Sequence, residues 1–145
     1  MNKKNVKIIL QVVFLVIIFV FLAAFMELDA NINYFETNYN NGDQKVSYVI
    51  ESKEELEQYV SNEEMLSKYE EEYFDEKQLV LIVLPLEAYN IKANVTDYKI
   101  TDGVMEVTIL KDYPEYCLWT MKTLNILIEV DNVEINEVNI IINEK

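Results

Sequence analysis

Hydrophobic residues follow one pattern in the first 26 residues and a different pattern in the rest of the chain. Ile8 to Met26 is a continuous apolar run with Gln11 as its only strongly polar residue, and short apolar runs alternate with polar residues after it. A helix of about 17–25 apolar residues is long enough to cross a bilayer. Lysines precede the run and acidic residues follow it, and positive flanks stay in the cytoplasm. The pattern predicts a cytoplasmic basic tail at 1–7, a transmembrane anchor at 8–26 and an extracytoplasmic remainder.

Two other interpretations of this run are a cleaved secretory signal and a buried helix. Small residues are scarce at the −3 and −1 positions of a cleavage site, because Ala23 and Ala24 precede Phe25 and Met26. The only cysteine, Cys117, is too distant to carry an anchoring lipid. An uncleaved anchor is therefore favoured, with the lipid bilayer as partner of Ile8 to Met26 and a single-pass cell-membrane localisation.

The segment after the anchor, residues 27–45, is rich in asparagine and has weak periodicity. Such composition is typical of a linker. A calcium loop at Asn38 to Asp43 is disfavoured because its ligand spacing does not match an EF-hand. The remaining residues, 46–145, are expected to form one folded domain.

Two helix signals follow a strand-like run at Val46 to Ile50. Ser52 and Glu55 have the spacing of a capping box, in which each side chain bonds the other residue's backbone amide. Ser61 and Glu64 repeat that spacing ahead of a second helix. The apolar positions that would face a core at helical spacing are Leu56, Tyr59, Val60, Met65, Leu66, Tyr69 and Tyr73.

The second half of the chain is dominated by strand patterns. Leu79 to Leu84 is a six-residue apolar run before Pro85, typical of a strand buried on both faces. Asp102-Gly103 between two strand-like runs predicts a hairpin. The other predicted strands are Val95–Ile100, Val104–Leu110, Leu124–Val130 and Val138–Ile142. The expected fold is α+β: a transmembrane helix, then a small, mostly antiparallel sheet of about six strands with one or two helices on one side.

The amino-acid composition disfavours several kinds of catalytic and binding site. The 145 residues include no histidine, one cysteine and two glycines, and the formal net charge is −14. Ser-His-Asp and Cys-His catalysis, the usual zinc sites and a glycine-rich phosphate cradle are thereby disfavoured. Strong negative charge argues against a nucleic-acid partner. No catalytic, cofactor-binding or metal-binding residue is predicted.

The irregular stretch Lys111 to Met121 contains the candidate binding residues. Tyr113, Tyr116 and Trp119 lie close together around Pro114. Tyrosine and tryptophan are favoured at protein interfaces, so these three residues are a candidate partner-binding patch. The alternative is that they pack over the edge of the sheet. Cys117 between them is expected to be an inert small hydrophobe, with a reactive thiol or an intermolecular disulfide as alternatives.

A set of short motifs after the anchor carries a resemblance to a known family: Tyr48-Val49-Ile50, Ser52 with Glu54-Glu55-Leu56, Tyr73-Phe74 ahead of Leu79 to Ile82, Trp119, and Ile126 to Val130. With these motifs the domain resembles small anchored or lipid-linked extracytoplasmic domains of low-GC Gram-positive bacteria, similar to the C-terminal domain of the PrcB-type protease-complex subunit. Pro85 to Asn90 replaces the expected Gly/Ser-rich turn, and the lipid-bearing cysteine is missing. The resemblance implies a non-catalytic cell-surface domain, with an envelope protein or protease complex as partner.

The leading functional hypothesis is a membrane-anchored, non-enzymatic interaction domain. Acidic clusters at Glu70 to Glu72 and Asp75-Glu76 motivate an alternative, a cation- or ligand-binding sensor module. A carboxylate-dependent hydrolase is a further alternative, but it needs two carboxylates facing each other in a cleft.

Overall fold

Seven strands and three short helical segments make up the part of the chain that the computed structural model describes as a compact unit, Ile32–Lys145. The described residues are 13–17, 31–40 and 43–145. The strands are β1 (Ile32–Asn38), β2 (Val46–Ile50), β3 (Lys77–Leu86), β4 (Lys92–Thr101), β5 (Val104–Asp112), β6 (Lys122–Asp131) and β7 (Glu137–Glu144). The helices are α1 (Lys53–Tyr59), α2 (Glu63–Leu66) and a 3-10 helix (Glu71–Asp75).

The first sheet is antiparallel, with strand order β1-β6-β3-β2. The strand predicted at Leu79 to Leu84 is confirmed as part of β3, which pairs with β2 on one side and with β6 on the other. Successive residues of a strand point to opposite faces, so a continuous apolar run requires cover on both. Leu79, Val80, Leu81 and Ile82 are all buried.

The short helices cover one face of this sheet, where Leu79, Leu81 and Leu127 pack against residues from the helical segments. Those residues include Leu56, Val60, Met65, Tyr69 and Phe74. Helix α1 begins as predicted after Ser52, whose Oγ accepts a hydrogen bond of 3.2 Å from the Glu55 N–H. The Glu55 carboxylate accepts from the Glu51 N–H, so only half of the capping box forms.

Helix α2 begins one residue later than the sequence pattern predicts. Its N-cap is Asn62, whose Oδ1 accepts a hydrogen bond of 3.0 Å from the Met65 N–H. Asparagine and serine are about equally good N-caps, so spacing alone does not distinguish Asn62 from Ser61.

The second sheet contains β4, β5 and β7, in the order β4-β5-β7. The predicted hairpin is confirmed: Asp102 and Gly103 join β4 to β5 with φ angles of 51° and 78°. Strand β7 pairs with β5 in parallel. The Tyr34 hydroxyl of β1 accepts a hydrogen bond of 3.0 Å from the Val95 N–H of β4, which links the two sheets.

The α+β prediction of one mostly antiparallel sheet is wrong, because the fold is mostly β with a four-stranded and a three-stranded sheet. Period-two alternation shows that a segment is a strand but does not show which sheet it joins. The two α-helices have only seven and four residues, so they form a thin cover.

Residues 32–38, which fall inside the predicted linker at 27–45, form β1 instead. All seven pair with β6, from Ile32 opposite Ile128 to Asn38 opposite Lys122. Polar residues at position 33 and at positions 36–38 hide the strand pattern, which an edge strand such as β1 tolerates, since only Ile32 is buried.

Among the described residues, no helix is long and apolar enough to cross a membrane. This contradicts the predicted anchor at Ile8 to Met26, and with it the single-pass membrane localisation. Within that run, residues 13–17 are described and are helical. Residues 8–12 and 18–26 lie outside the described part of the chain.

Candidate interaction surface

The loop between β5 and β6, residues 113–121, presents large apolar side chains to solvent; we refer to it as the aromatic loop. Trp119 is 81% exposed, Tyr116 is 79% exposed and Leu118 is 60% exposed. Met121 and Tyr89, the latter from the neighbouring β3–β4 loop, are also exposed. Isolated exposed apolar residues are ordinary, whereas a group of them at one site is a candidate interaction surface.

Hydrogen bonds from the β3–β4 loop hold the aromatic loop in place. The Asn90 side chain bonds it twice: Nδ2 donates to the Tyr116 carbonyl at 2.6 Å, and Oδ1 accepts from the Leu118 N–H at 2.8 Å. The Tyr89 N–H donates to the Leu118 carbonyl at 3.0 Å. The exposed side chains therefore project from backbone that is fixed on both sides of Cys117.

The three predicted patch residues have different environments. Tyr116 and Trp119 are exposed, so in this structure they do not pack over the sheet edge. Tyr113 is half-buried, and its hydroxyl donates a hydrogen bond of 3.3 Å to Glu144 of β7. Burial, with the Glu87 and Glu144 carboxylates nearby, raises the pKa of Tyr113. Tyr113 thus belongs to the base of the loop and not to its exposed surface.

Sequence reasoning missed Leu118, Met121 and Tyr89 as members of this surface. Leu118 and Met121 are ordinary apolar residues that a local pattern would assign to a core. Tyr89 comes from another loop, and the bonds that join the two loops connect residues about 26–28 positions apart. The only feature of the sequence that pointed to Tyr89 was its position beside Asn90 in the loop that follows Pro85.

The lysines that flank the aromatic loop are both paired with glutamates. Lys111 is buried, and its Nζ lies 3.0 Å from Glu87 Oε1 and 3.2 Å from Oε2. Lys122 Nζ lies 2.6 Å from Glu36 Oε1 and 5.0 Å from the centroid of the Tyr89 ring. Glu115, within the loop, has no ion-pair partner in the described part of the chain. The surroundings of the exposed side chains are therefore net acidic.

Cys117 is half-buried, and its Sγ lies 3.9 Å from the Pro114 carbonyl oxygen. The inert role expected for Cys117 stays a prediction.

A separate polar cluster lies between the helical layer and the first sheet. The buried Tyr69 hydroxyl donates to Glu129 Oε1 at 2.9 Å, and Asn33 Nδ2 donates to the Tyr69 oxygen at 2.8 Å. Burial and the Glu129 carboxylate raise the pKa values of Tyr69 and Tyr73. A tyrosine that is this hard to ionise is a poor proton-transfer group near neutral pH, so the cluster fits a structural role.

The acidic residues considered as cation ligands are separated or engaged. Within residues 13–17, 31–40 and 43–145, no three Asp, Glu or Cys side chains are arranged to hold a metal ion. Glu70 forms an ion pair with Lys53. Asp43 Oδ2 accepts hydrogen bonds from the Asn40 N–H and the Thr123 hydroxyl, which lower the pKa of Asp43. Residues 41 and 42 of the disfavoured calcium loop lie outside the described part.

Two open grooves are present in the described structure. One, of about 360 Å³, is lined by Tyr48, Tyr59 and neighbouring residues of β2 and β3. The other, of about 260 Å³, lies between β1 and β4 and includes Tyr34, Lys92 and Lys122. Neither contains a facing pair of carboxylates, the arrangement that a carboxylate-dependent hydrolase requires.

Comparisons with protein-family models, with curated proteins and with solved structures find no match. The resemblance to the PrcB-type C-terminal domain therefore stays a prediction.

Proposed function

We propose that this chain is a non-enzymatic interaction domain that binds a protein partner through the aromatic loop. The observation that carries the proposal is the exposure of Trp119 and Tyr116 on backbone clamped by Asn90. Tryptophan and tyrosine dominate the binding energy of protein interfaces because they bury large areas with few rotatable bonds. A loop that is already ordered loses less conformational entropy on binding.

The electrostatics indicate the chemistry of the partner. Lys111 and Lys122 are neutralised by Glu87 and Glu36, whereas Glu115 is unpaired in the described residues. The whole chain carries a formal charge of −14. Such a surface is complementary to a partner with an apolar pocket for Trp119 bordered by lysine or arginine. Complementary charge speeds association and disfavours acidic partners.

The experiment places a photo-crosslinking aromatic residue at position 119 of the full chain in the cells that produce it, and at position 59 as control. Tyr59 is a matched control because it is an exposed aromatic residue away from the aromatic loop. We expect one protein to be crosslinked from position 119 and not from position 59. The captured protein is then purified, and its affinity is measured for the Trp119→Ala chain.

A loss of about 2 kcal/mol or more in binding free energy on Trp119→Ala, a typical value for an interface hot spot, supports the proposal. Equal crosslinking from both positions, crosslinking to lipid only, or an unchanged affinity would overturn it. Glu115→Gln tests the partner's charge, since it should slow association and reduce its salt dependence.

A further inference from the structure

The outer edge of β7 is an open backbone ladder in the described structure. The Glu137 N–H donates to the Gly103 carbonyl, and the Lys145 N–H donates to the Lys111 carbonyl. The Lys145 carbonyl accepts from the Tyr113 N–H. Residues 137 and 145 therefore direct their backbone groups toward β5. Backbone groups alternate in direction along a strand, so those of residues 138, 140, 142 and 144 point away from β5.

The other edge strand of this sheet, β4, has features that hinder pairing with a further strand, and β7 lacks them. Strand β4 has a bulge between Val95 and Asp97 and carries Lys92 and Lys99. Bulges and lysines are common devices against unwanted strand pairing. Between its terminal glutamates β7 reads VNIIIN, with no charge, proline or bulge. An edge of this kind is a template for another strand.

The sequence of β7 is complementary to itself in one antiparallel register. The segment Asn139-Ile140-Ile141-Ile142-Asn143 reads the same in both directions. A two-fold axis at Ile141 places Ile141 opposite its own copy, Asn139 opposite Asn143, and Ile140 opposite Ile142. The same register places Glu137 opposite Lys145, an attractive pair at each end. Cross-strand isoleucine pairs and opposite charges both stabilise a sheet.

The hydrogen-bonding directions agree with this register. Residues 138 and 140 of one copy lie opposite residues 144 and 142 of the other, and all four direct their backbone groups outward. The paired residues also have matching faces: Val138, Ile140 and Ile142 are half-buried, whereas Ile141 is 43% exposed. Ile141 becomes a non-hydrogen-bonded pair across the axis, where the side chains approach most closely.

We propose that β7 pairs antiparallel with β7 of a second copy of this chain about a two-fold axis at Ile141, which joins two three-stranded sheets into one of six strands. The pairing covers nine residues per copy, from position 137 to position 145, and such an interface is small, so we expect a dissociation constant on the order of micromolar. The C-terminal end of β7 contacts the base of the aromatic loop through Tyr113, and dimerisation would present two copies of that loop.

The first test uses the close approach at the axis. In the full chain with Cys117→Ser, Ile141→Cys should form a disulfide-linked dimer under mild oxidation, because non-hydrogen-bonded pairs have a Cα separation of about 4.5 Å, within disulfide range. Val133→Cys is the control, since Val133 is 42% exposed and outside β7. Faster dimer formation at position 141 supports the proposal, and equal rates at both positions overturn it.

The second test fixes the register by charge exchange. Glu137→Lys and Lys145→Glu each place like charges opposite one another twice per dimer. Each should raise the dissociation constant about tenfold in analytical ultracentrifugation, and the double variant should restore it. Ile141→Lys should abolish dimerisation, while Val133→Lys should not. A wild-type chain that stays monomeric at about 1 mM, or a double variant no better than the singles, would overturn the proposal.

Discussion

The Tyr69 hydroxyl donates a hydrogen bond of 2.9 Å to Glu129 Oε1, and this pair ties the helical layer to β6. Tyr69 is 1% exposed and precedes the 3-10 helix, while Glu129 is half-buried in the sheet. Asn33 of β1 donates to the same tyrosine oxygen. One hydroxyl therefore connects an edge strand, an inner strand and the helical segment.

The neighbouring Tyr73 differs from Tyr69 in the hydrogen bonding of its hydroxyl group. Its hydroxyl oxygen is buried and makes no hydrogen bond of normal geometry in the described residues, although the Glu129 carboxylate is near enough to raise its pKa. Tyr69→Phe should lower the free energy of unfolding by about 1–2 kcal/mol, because Glu129 Oε1 loses its donor and Asn33 Nδ2 loses its acceptor, and the two atoms keep only their 3.4 Å hydrogen bond to each other. Tyr73→Phe should be neutral or stabilising by up to about 1 kcal/mol, since it removes an unsatisfied polar group. Urea denaturation of both variants checks the contrast, and equal losses would contradict it.

The same two tyrosines predict an alkaline limit to stability. Burial, followed by the Glu129 charge, raises the pKa values of both in the folded state. The unfolded chain ionises near the ordinary tyrosine pKa of about 10. The stability contributed by a raised pKa is complete below that value and is lost as the pH rises through the folded-state pKa. Urea midpoints should fall above about pH 10. The urea midpoint of a Tyr69→Phe/Tyr73→Phe double variant should fall less than that of the wild type above this pH. An equally steep fall in both proteins would show that these two tyrosines do not cause the loss of stability.

The Lys111–Glu87 ion pair predicts an acid limit. Burial acts to raise the pKa of Glu87, but hydrogen bonds from its own backbone N–H and from the Lys111 ammonium outweigh it and lower the pKa. A lowered pKa contributes stability above the unfolded value of about 4.3, and that stability is lost as the pH falls through the folded-state pKa. Stability measured from pH 6 to pH 3 should decline less in Glu87→Gln than in the wild type.

Breaking this pair at neutral pH should also be costly, because the Lys111 side chain is only 6% exposed. Glu87→Gln should destabilise the fold by about 1–2 kcal/mol, less than for a fully buried pair since Glu87 is half-exposed. Glu106→Gln, which breaks the exposed Lys99–Glu106 pair, is the control and should cost less than about 0.5 kcal/mol. Similar losses in both variants would show that burial of Lys111 does not matter.

The two hydrogen bonds from the Asn90 side chain should slow hydrogen exchange in the aromatic loop. Asn90→Ala removes the acceptor of the Leu118 N–H and the donor to the Tyr116 carbonyl. Hydrogen exchange at the Leu118 amide should become about tenfold faster or more, since one net hydrogen bond contributes about 1 kcal/mol and two are lost. Asn94→Ala, at an exposed position in β4, should leave that rate unchanged. An unchanged Leu118 rate in Asn90→Ala would mean that the loop is held by other contacts.

Local signals predicted the parts of the fold that depend on neighbouring residues. Ser52 is an N-cap, Asp102-Gly103 is a hairpin turn, and Leu79 to Leu84 is a fully paired central strand. Each depends on a backbone or burial requirement that a few adjacent residues express. Strand β1 was missed because an edge strand can carry polar residues at most positions, so Asn33, Glu36 and Asn38 suggested a linker.

The assignment of strands to two sheets and the hydrogen bonds from Asn90 to the aromatic loop could not be predicted, because both depend on residues that are far apart in the sequence. Strand β7 has the alternation of any half-buried strand, and nothing in it indicates a parallel partner in a second sheet. Asn90 resembles any polar loop residue until Leu118 is brought beside it. Pro114 and the aromatic residues around it did predict a loop, and the exposure of Trp119 and Tyr116 shows that these two side chains do not pack over the sheet.

The most direct test of the central claim is isothermal titration calorimetry of the full chain with the partner captured from position 119. Wild type, Trp119→Ala and Val133→Ala are compared, since Trp119 and Val133 are both exposed and only Trp119 lies in the aromatic loop. Trp119→Ala should weaken binding about 30-fold or more, and Val133→Ala should change the affinity less than about threefold. Equal affinity of the wild type and Trp119→Ala would show that Trp119 does not anchor the partner.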